Sequence, residues 1–273
     1  MMDRANPKDG GRLSRYKDRG DKTPRVLITG SSGGIGFELA RSFGKRGCEL
    51  IINGSHEQRL LSAKERLEKE FARPVTAVVE DLSLPGGAKA LHRQVANAGI
   101  GVDILVNNAG MGLLAATDEI DFEADESLMR LNMIALVQLC KLYLPEMYRR
   151  GSGKILNIAS VAAFQPGPYN STYFASKAFV LSYSRAIRYE ARRRGVDVCA
   201  LCPNSTKTGF FDKEGIRTPP MSAEPQAVAE YAYHKLTRNK AVIVPGLVNN
   251  LTRAIPSGVK MRLVAMMKDM GKE

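Results

Sequence analysis

Short, continuously apolar runs alternate with longer stretches of helical period along most of this chain. Arg25–Thr29 is too short and too uniformly apolar for a helix and reads as a strand, and Ile35–Arg46 then carries apolar residues three and four apart. Further strands are predicted at Glu49–Ile52, Val75–Val79, Asp103–Val106, Lys154–Ala159, Val196–Leu201 and Ala241–Val244. Helices are predicted between them at His56–Phe71, Gly87–Ala98, Ala124–Arg149, through Tyr173 to Arg194, and at Glu224–Thr237. Repetition of this kind implies an α/β fold, a doubly wound parallel sheet with helices on both faces and right-handed crossovers. If the order reverses at the first strand, the ligand crevice lies at the carboxyl ends of the first and fourth strands.

Two stretches break the rhythm. Thr206–Pro225 contains Gly209, Gly215, Pro219 and Pro220 with Phe210, Phe211, Ile216 and Met221 as its apolar content. Following the sixth strand, it is placed to cover the crevice as a substrate lid over about residues 206–225. Near the C-terminus Val259, Leu263, Met266, Met267 and Met270 recur at helical spacing among Lys260, Arg262 and Lys268, predicting a basic amphipathic helix over about 257–270. Packing on its own core or on a second subunit is preferred to contact with an acidic membrane.

At 273 residues and 44% apolar content, a single domain with one large core is expected. The formal charge of +12 raises nucleic acid and acidic membranes as partners. Residues 1–25, however, hold eight Lys or Arg and four Asp in a stretch almost free of apolar residues, so 1–23 reads as a disordered basic tail. Arg149, Arg150 and Arg192–Arg194 close helices, where cations favour the dipole. No groove-reading motif or stacking platform appears, and no dedicated nucleic-acid site is expected. The N-terminus is polar and no apolar run approaches a membrane span, so a cytoplasmic protein is expected. Cys199 and Cys202 form a C-x-x-C inside a strand, where a spacing of three points them to opposite faces; neither a disulfide nor a metal site is expected.

The chemistry concentrates in a few positions. Tyr173 and Lys177 stand four apart on a predicted helix, so phenol and ammonium share a face, and a nearby cation favours phenolate. Tyr231 and Lys235 repeat the spacing without a strand-end Ser upstream and read as packing and a solvated cation. Ser160 lies thirteen residues before Tyr173 at a strand end. Gly30, Gly34 and Gly36 follow the first strand and open a helix, a turn whose bare backbone can approach a pyrophosphate at the helix N-terminus. Asn108, Ala109 and Gly110 follow the fourth strand, with small residues suited to flat packing on a cofactor ring. Asp81, past the third strand, can accept an adenine amino group or cap the next helix. The second strand ends in Asn53-Gly54-Ser55-His56, with no carboxylate to repel a 2′-phosphate, and Ser55 and His56 can donate to one.

Taken in order and at their spacing, T-G-x-x-x-G-x-G, N-N-A-G, the strand-end Ser and Y-x-x-x-K make the chain resemble the classical short-chain dehydrogenase/reductase family over about residues 24–245. The resemblance implies a Rossmann-type fold and hydride transfer between a nicotinamide cofactor and a small carbonyl or alcohol substrate, with NADP preferred and NAD the alternative. It implies Tyr173 as catalytic acid/base, Lys177 as the group that lowers its pKa and binds the ribose, and Ser160 as the hydrogen-bond partner of the substrate oxygen. Asn132 would hold a relay water or pin its helix to the sheet edge. Ser32, Ile35, Leu82, Pro203, Thr206 and Thr208 would complete the cofactor site, with Thr208 at the carboxamide. Where the family often has Pro-Gly after the sixth strand, this chain has Pro203-Asn204, and Asn tolerates a left-handed turn. A homodimer or homotetramer is expected. A 3-oxoacyl thioester reductase acting on an acidic carrier and a non-catalytic cofactor-binding regulator are the competing readings.

Overall fold

The computed structural model describes residues 23–210, 219, 222–246 and the single positions 258, 261, 262, 265 and 266. The tail over 1–22, the lid residues Phe211, Ile216, Pro220 and Met221, and most of the expected C-terminal helix lie outside the described residues. Of that helix the described positions are helical, with Met261 and Met266 exposed.

Seven strands form one parallel sheet: β1 (Arg25–Ile28), β2 (Glu49–Gly54), β3 (Val75–Val79), β4 (Ile104–Asn107), β5 (Gly153–Ile158), β6 (Val196–Leu201) and β7 (Val242–Ile243), in the order β3-β2-β1-β4-β5-β6-β7. The order reverses at β1, where Ile28 pairs with Ile52 of β2 on one side and Val106 of β4 on the other. The crevice expected at the ends of β1 and β4 is therefore the switch point of the sheet.

Strands buried on both faces need apolar residues at every position, and β1 shows why the runs are continuous. Val26 and Ile28 enter one core layer with α1 (Gly34–Gly44), α2 (Glu57–Phe71) and α7 (Pro225–Thr237), through Phe43, Leu60 and Leu236. Leu27 enters the other with α3 (Gly87–Asn97), α5 (Leu136–Arg150) and α6 (Ser171–Arg192), through Leu91, Met147 and Val180. Cys199 and Cys202 fall in opposite layers, fully buried, as their spacing requires. Truncating one such buried Leu to Ala typically costs about 2–5 kcal/mol.

The segment predicted as one helix over Ala124–Arg149 departs from that expectation. It divides into α4 (Phe122–Met129), a π-helical segment (Arg130–Ala135) and α5. No Gly or Pro marks the π segment in sequence, which is why periodicity missed it. The run Phe122–Arg150 is also long and apolar enough to cross a membrane by length and composition, contrary to the expectation that no stretch approaches a span. Its inner face of Leu139, Cys140, Tyr143 and Met147 packs instead into the core of the sheet.

Candidate active site

The glycine turn is shaped by close approach. Gly30 has φ +61, and a Cβ there would stand 2.8 Å from the Ala109 Cα. Gly36 is tighter, since a Cβ would stand 2.4 Å from both the Asn108 Nδ2 and the Gly30 carbonyl oxygen. Asn108 explains the contact. Its Nδ2 donates to the carbonyls of Thr29 and Gly30, each at 2.9 Å, while Thr29 Oγ1 accepts from the backbone N–H of Asn108 and of Ala109 at 3.0 Å. Asn108 thus braces the turn from below, so its side chain is committed before any cofactor arrives. Ser31, which sequence reading passed over, ties the turn to β2: its hydroxyl donates to Ile28 and accepts from Asn53 N–H, and its own N–H donates to the Asn53 carbonyl. Ser32, Gly34 and Ile35 stay half-buried at the mouth of the cradle.

Asn53 is buried and spends its amide on the carbonyls of Val78 and Glu80, at 3.1 and 3.0 Å. Gly54 is buried too, whereas Ser55 and His56 are exposed, and the Ser55 hydroxyl lies 3.0 Å from His56 Nδ1. Asp81 caps neither α3 nor any other helix. Its Oδ1 accepts from the N–H and hydroxyl of Ser83 at 2.8 and 2.6 Å, a local turn that fixes the carboxylate, whereas the residue before α3 is Gly86. Leu82 puts its side chain into the core.

The catalytic candidates converge above β4 and β5. Lys177 is buried on α6; its Nζ donates to the Ile158 carbonyl at 3.1 Å and stands 5.6 Å from the centroid of the Tyr173 ring. Burial, only weakly opposed by the Cys202 thiol, pulls its pKa down to about 8. Gly110 lies beside it: a Cβ at that position would stand 3.3 Å from Lys177 Nζ and 3.2 Å from Asn132 Oδ1. Asn132 sits in the π segment, a geometry frequent at functional sites. Its Oδ1 accepts from Met111 N–H at 3.0 Å and its Nδ2 donates to the Met111 carbonyl and to Ser176 Oγ, at 2.9 and 3.0 Å. The pin expected from sequence is to the sheet edge; the amide is spent instead on the loop after β4 and on α6.

Ser160 ends the extended run after β5, where its Oγ accepts from Ala162 N–H at 3.1 Å and caps the 3-10 turn Val161–Phe164. An oxygen that accepts from the backbone still has its own proton to give. That turn packs against α6. Pro203 is buried and its carbonyl accepts from Val161 N–H at 2.9 Å. Asn204 does not use the left-handed geometry expected of it, since positive φ among described non-glycine residues is confined to Ala72, Tyr169 and Asn239. Thr206 is buried, donates to the Asn204 carbonyl at 2.8 Å and bridges Ala223. Thr208 lies across the cradle, its Cγ2 3.1 Å from where a Gly34 Cβ would be. The first lid aromatic, Phe210, packs on Tyr173 with ring centroids 5.6 Å apart, and Phe174 meets the same ring edge-on at 6.0 Å. Tyr231 and Lys235 also meet, with Nζ 5.0 Å from the ring centroid, but Tyr231 packs on the opposite core layer, away from the crevice, and Lys235 is half-buried rather than fully solvated.

Residues 24–217 match the family model described as short chain dehydrogenase. The "Ketoacyl reductase HetN" of Nostoc sp. (strain PCC 7120) is 29% identical over 233 residues, covering 84% of this chain and 80% of the relative. Among solved structures, a short-chain dehydrogenase from Sphingobium yanoikuyae in complex with NADPH superposes with a TM-score of 0.78 at 33% identity, covering 89% of this chain and 95% of that one. The bulky-bulky ketone specific alcohol dehydrogenase from Comamonas testosteroni gives 0.75 at 27% identity, covering 92% and 94%. With the family match covering residues 24–217, most of the described sheet and the Tyr173–Lys177 face included, the chain belongs to the short-chain dehydrogenase family.

Proposed function

We propose that this enzyme is an NADP-dependent carbonyl reductase, reversible as an alcohol dehydrogenase, acting on an apolar carbonyl compound. The observation that carries it is the buried Lys177 ammonium held by Ile158 against the face of Tyr173. When bound, the dinucleotide supplies the hydride. Tyr173 gives its phenolic proton to the carbonyl oxygen, and the Lys177 charge favours the phenolate left behind. Ser160, accepting from Ala162 N–H, directs its own proton to the same oxygen. Asn132 holds the loop after β4 and offers a place for a relay water.

The pyrophosphate belongs at the N-terminus of α1, over the turn whose glycines let it close on Ala109, Asn108 and Thr208. NADP over NAD is supported by the lack of a carboxylate at the end of β2, by the exposed Ser55 and His56, and by the NADPH complex of the Sphingobium relative. An apolar substrate is supported by Phe174 and Phe210 beside Tyr173. The resemblance to a ketoacyl reductase favours a second reading, reduction of 3-oxoacyl thioesters. A homodimer or homotetramer belongs to the same proposal, supported by the apolar Ile134, Phe179 and Tyr189 left exposed on the α4-to-α6 side. Mixing the protein with NADPH, a panel of ketones and a carrier-bound 3-oxoacyl thioester tests these readings. Oxidation of NADPH by free ketones supports the first, oxidation by the thioester alone the second, and binding without oxidation contradicts both.

A further inference from the structure

The loop from Ser160 to the start of α6 carries Gly167 between Pro166 and Pro168, and Gly167 is buried. Its backbone does not demand glycine. Its φ lies outside the left-handed region, and the proline after it favours an extended conformation open to any residue. Contact is what demands it: a Cβ at this position would overlap Cγ and Cδ2 of Phe174 and stand 2.5 Å from its Cδ1. The bare backbone of Gly167 therefore lies over the face of the Phe174 ring. The loop is held on both sides of this contact. Near Ser160, Val161 N–H donates to the Pro203 carbonyl at 2.9 Å. Near α6, Asn170 N–H donates to the Gly167 carbonyl at 3.1 Å and Ala115 N–H to the Tyr169 carbonyl at 3.0 Å. With a proline on either side of Gly167 as well, the loop has little freedom to retreat, and a side chain there would have to displace the ring.

That ring supports the catalytic one. Phe174 meets Tyr173 with centroids 6.0 Å apart and planes at 76°, an edge-to-face pair, and Tyr173 packs on Phe210 at 5.6 Å. Phe210 comes from the segment after β6, so Phe174 is the support that α6 itself supplies. Resting on the carbonyl-reductase reading, we propose that Gly167 and Phe174 are positioning residues: the loop backbone seats the Phe174 ring, which fixes the angle at which Tyr173 presents its proton to the carbonyl oxygen. A reacting group misplaced by about 1 Å can cost about 10²-fold in rate, so a methyl group at position 167 reaches the chemistry through the ring.

The test compares wild type, Gly167→Ala, Phe174→Ala and the double variant, with kcat measured at saturating NADPH and ketone and counted per NADPH-binding site from fluorescence titration. Gly167→Ala lowers kcat by about tenfold or more while NADPH affinity holds, and Phe174→Ala lowers it by less. In the double variant the methyl enters space the ring has vacated, so kcat equals that of Phe174→Ala alone and exceeds that of Gly167→Ala. Wild-type kcat in either single variant, or losses that multiply in the double, overturns the proposal. A lowered Tm with unchanged kcat per binding site would show a purely structural contact and also overturns it. Should Gly167→Ala fail to fold, the double against Phe174→Ala decides: equal kcat supports the proposal and a further loss overturns it. Turnover of ketones by the wild type reports separately on the underlying reading, since the proposal rests only on ratios among the variants.

Discussion

Lys177 Nζ is bonded to the Ile158 carbonyl at 3.1 Å and stands 5.6 Å from the centre of the Tyr173 ring, so the cation at the phenol is anchored by the end of β5 rather than by a carboxylate. A neutral anchor leaves the full positive charge to act on Tyr173. It also leaves burial uncompensated, which is why the Lys177 pKa falls to about 8 from 10.5.

This makes a linked prediction for stability. The unfolded chain keeps the ordinary lysine value while the folded chain has released the proton by about pH 8, so between pH 8 and 10.5 the unfolded state binds more protons. Stability of the ligand-free protein therefore gains a contribution as pH rises through this window, of up to about 3 kcal/mol. Below pH 8 the cost of the buried charge is fully present. Denaturant unfolding of wild type and Lys177→Met across this range isolates the term, and the difference between them is expected to shrink as pH rises. A difference independent of pH would contradict the burial of an ionised Lys177.

Cofactor choice is expected to turn on Gly54. A Cβ there meets Leu60 Cδ1 and Ser32 Oγ at 3.5 Å and Ser32 Cβ at 3.6 Å, ordinary contact distances, so Gly54→Asp is accommodated beside the turn. The added negative charge at the end of β2 is expected to shift the NADPH-to-NADH ratio of kcat/KM toward NADH by about tenfold or more, equivalent to about 1.4 kcal/mol. A wild type that already favours NADH would refute the assignment.

Gly36 should tolerate no side chain. The Ala methyl would meet the Asn108 amide and the Gly30 carbonyl at 2.4 Å, both parts of the brace that shapes the cradle. Gly36→Ala is expected to lose about 1–3 kcal/mol of stability and most cofactor affinity, readable by urea unfolding and by NADPH fluorescence titration. Gly33, with nothing within 4 Å of a Cβ, is the matched control.

The sheet was legible because strands buried on both faces must be apolar throughout, and Val75–Val79 and Val196–Leu201 agree with the structure to the residue. Tyr173, Lys177 and the glycine turn were legible because their spacing is itself the chemistry. What stayed hidden depends on tertiary contacts. Nothing in Arg130–Ala135 distinguishes a π turn from an α turn until Asn132 is pulled onto Met111. Ser31 and Asn53 are unremarkable apart from each other, and their clamp exists only once β1 and β2 are side by side. The left-handed Tyr169 runs against residue preference, so no propensity argument would have found it.

Tyr173→Phe tests the central claim most directly. It removes one oxygen and leaves the ring to pack against Phe174 and Phe210, with Tyr231→Phe as control for the other tyrosine that meets a lysine. With NADPH and the best ketone, kcat is expected to fall by at least about 10²-fold in Tyr173→Phe while NADPH affinity holds, and to change little in Tyr231→Phe. Near-normal turnover in purified, folded Tyr173→Phe would contradict the account.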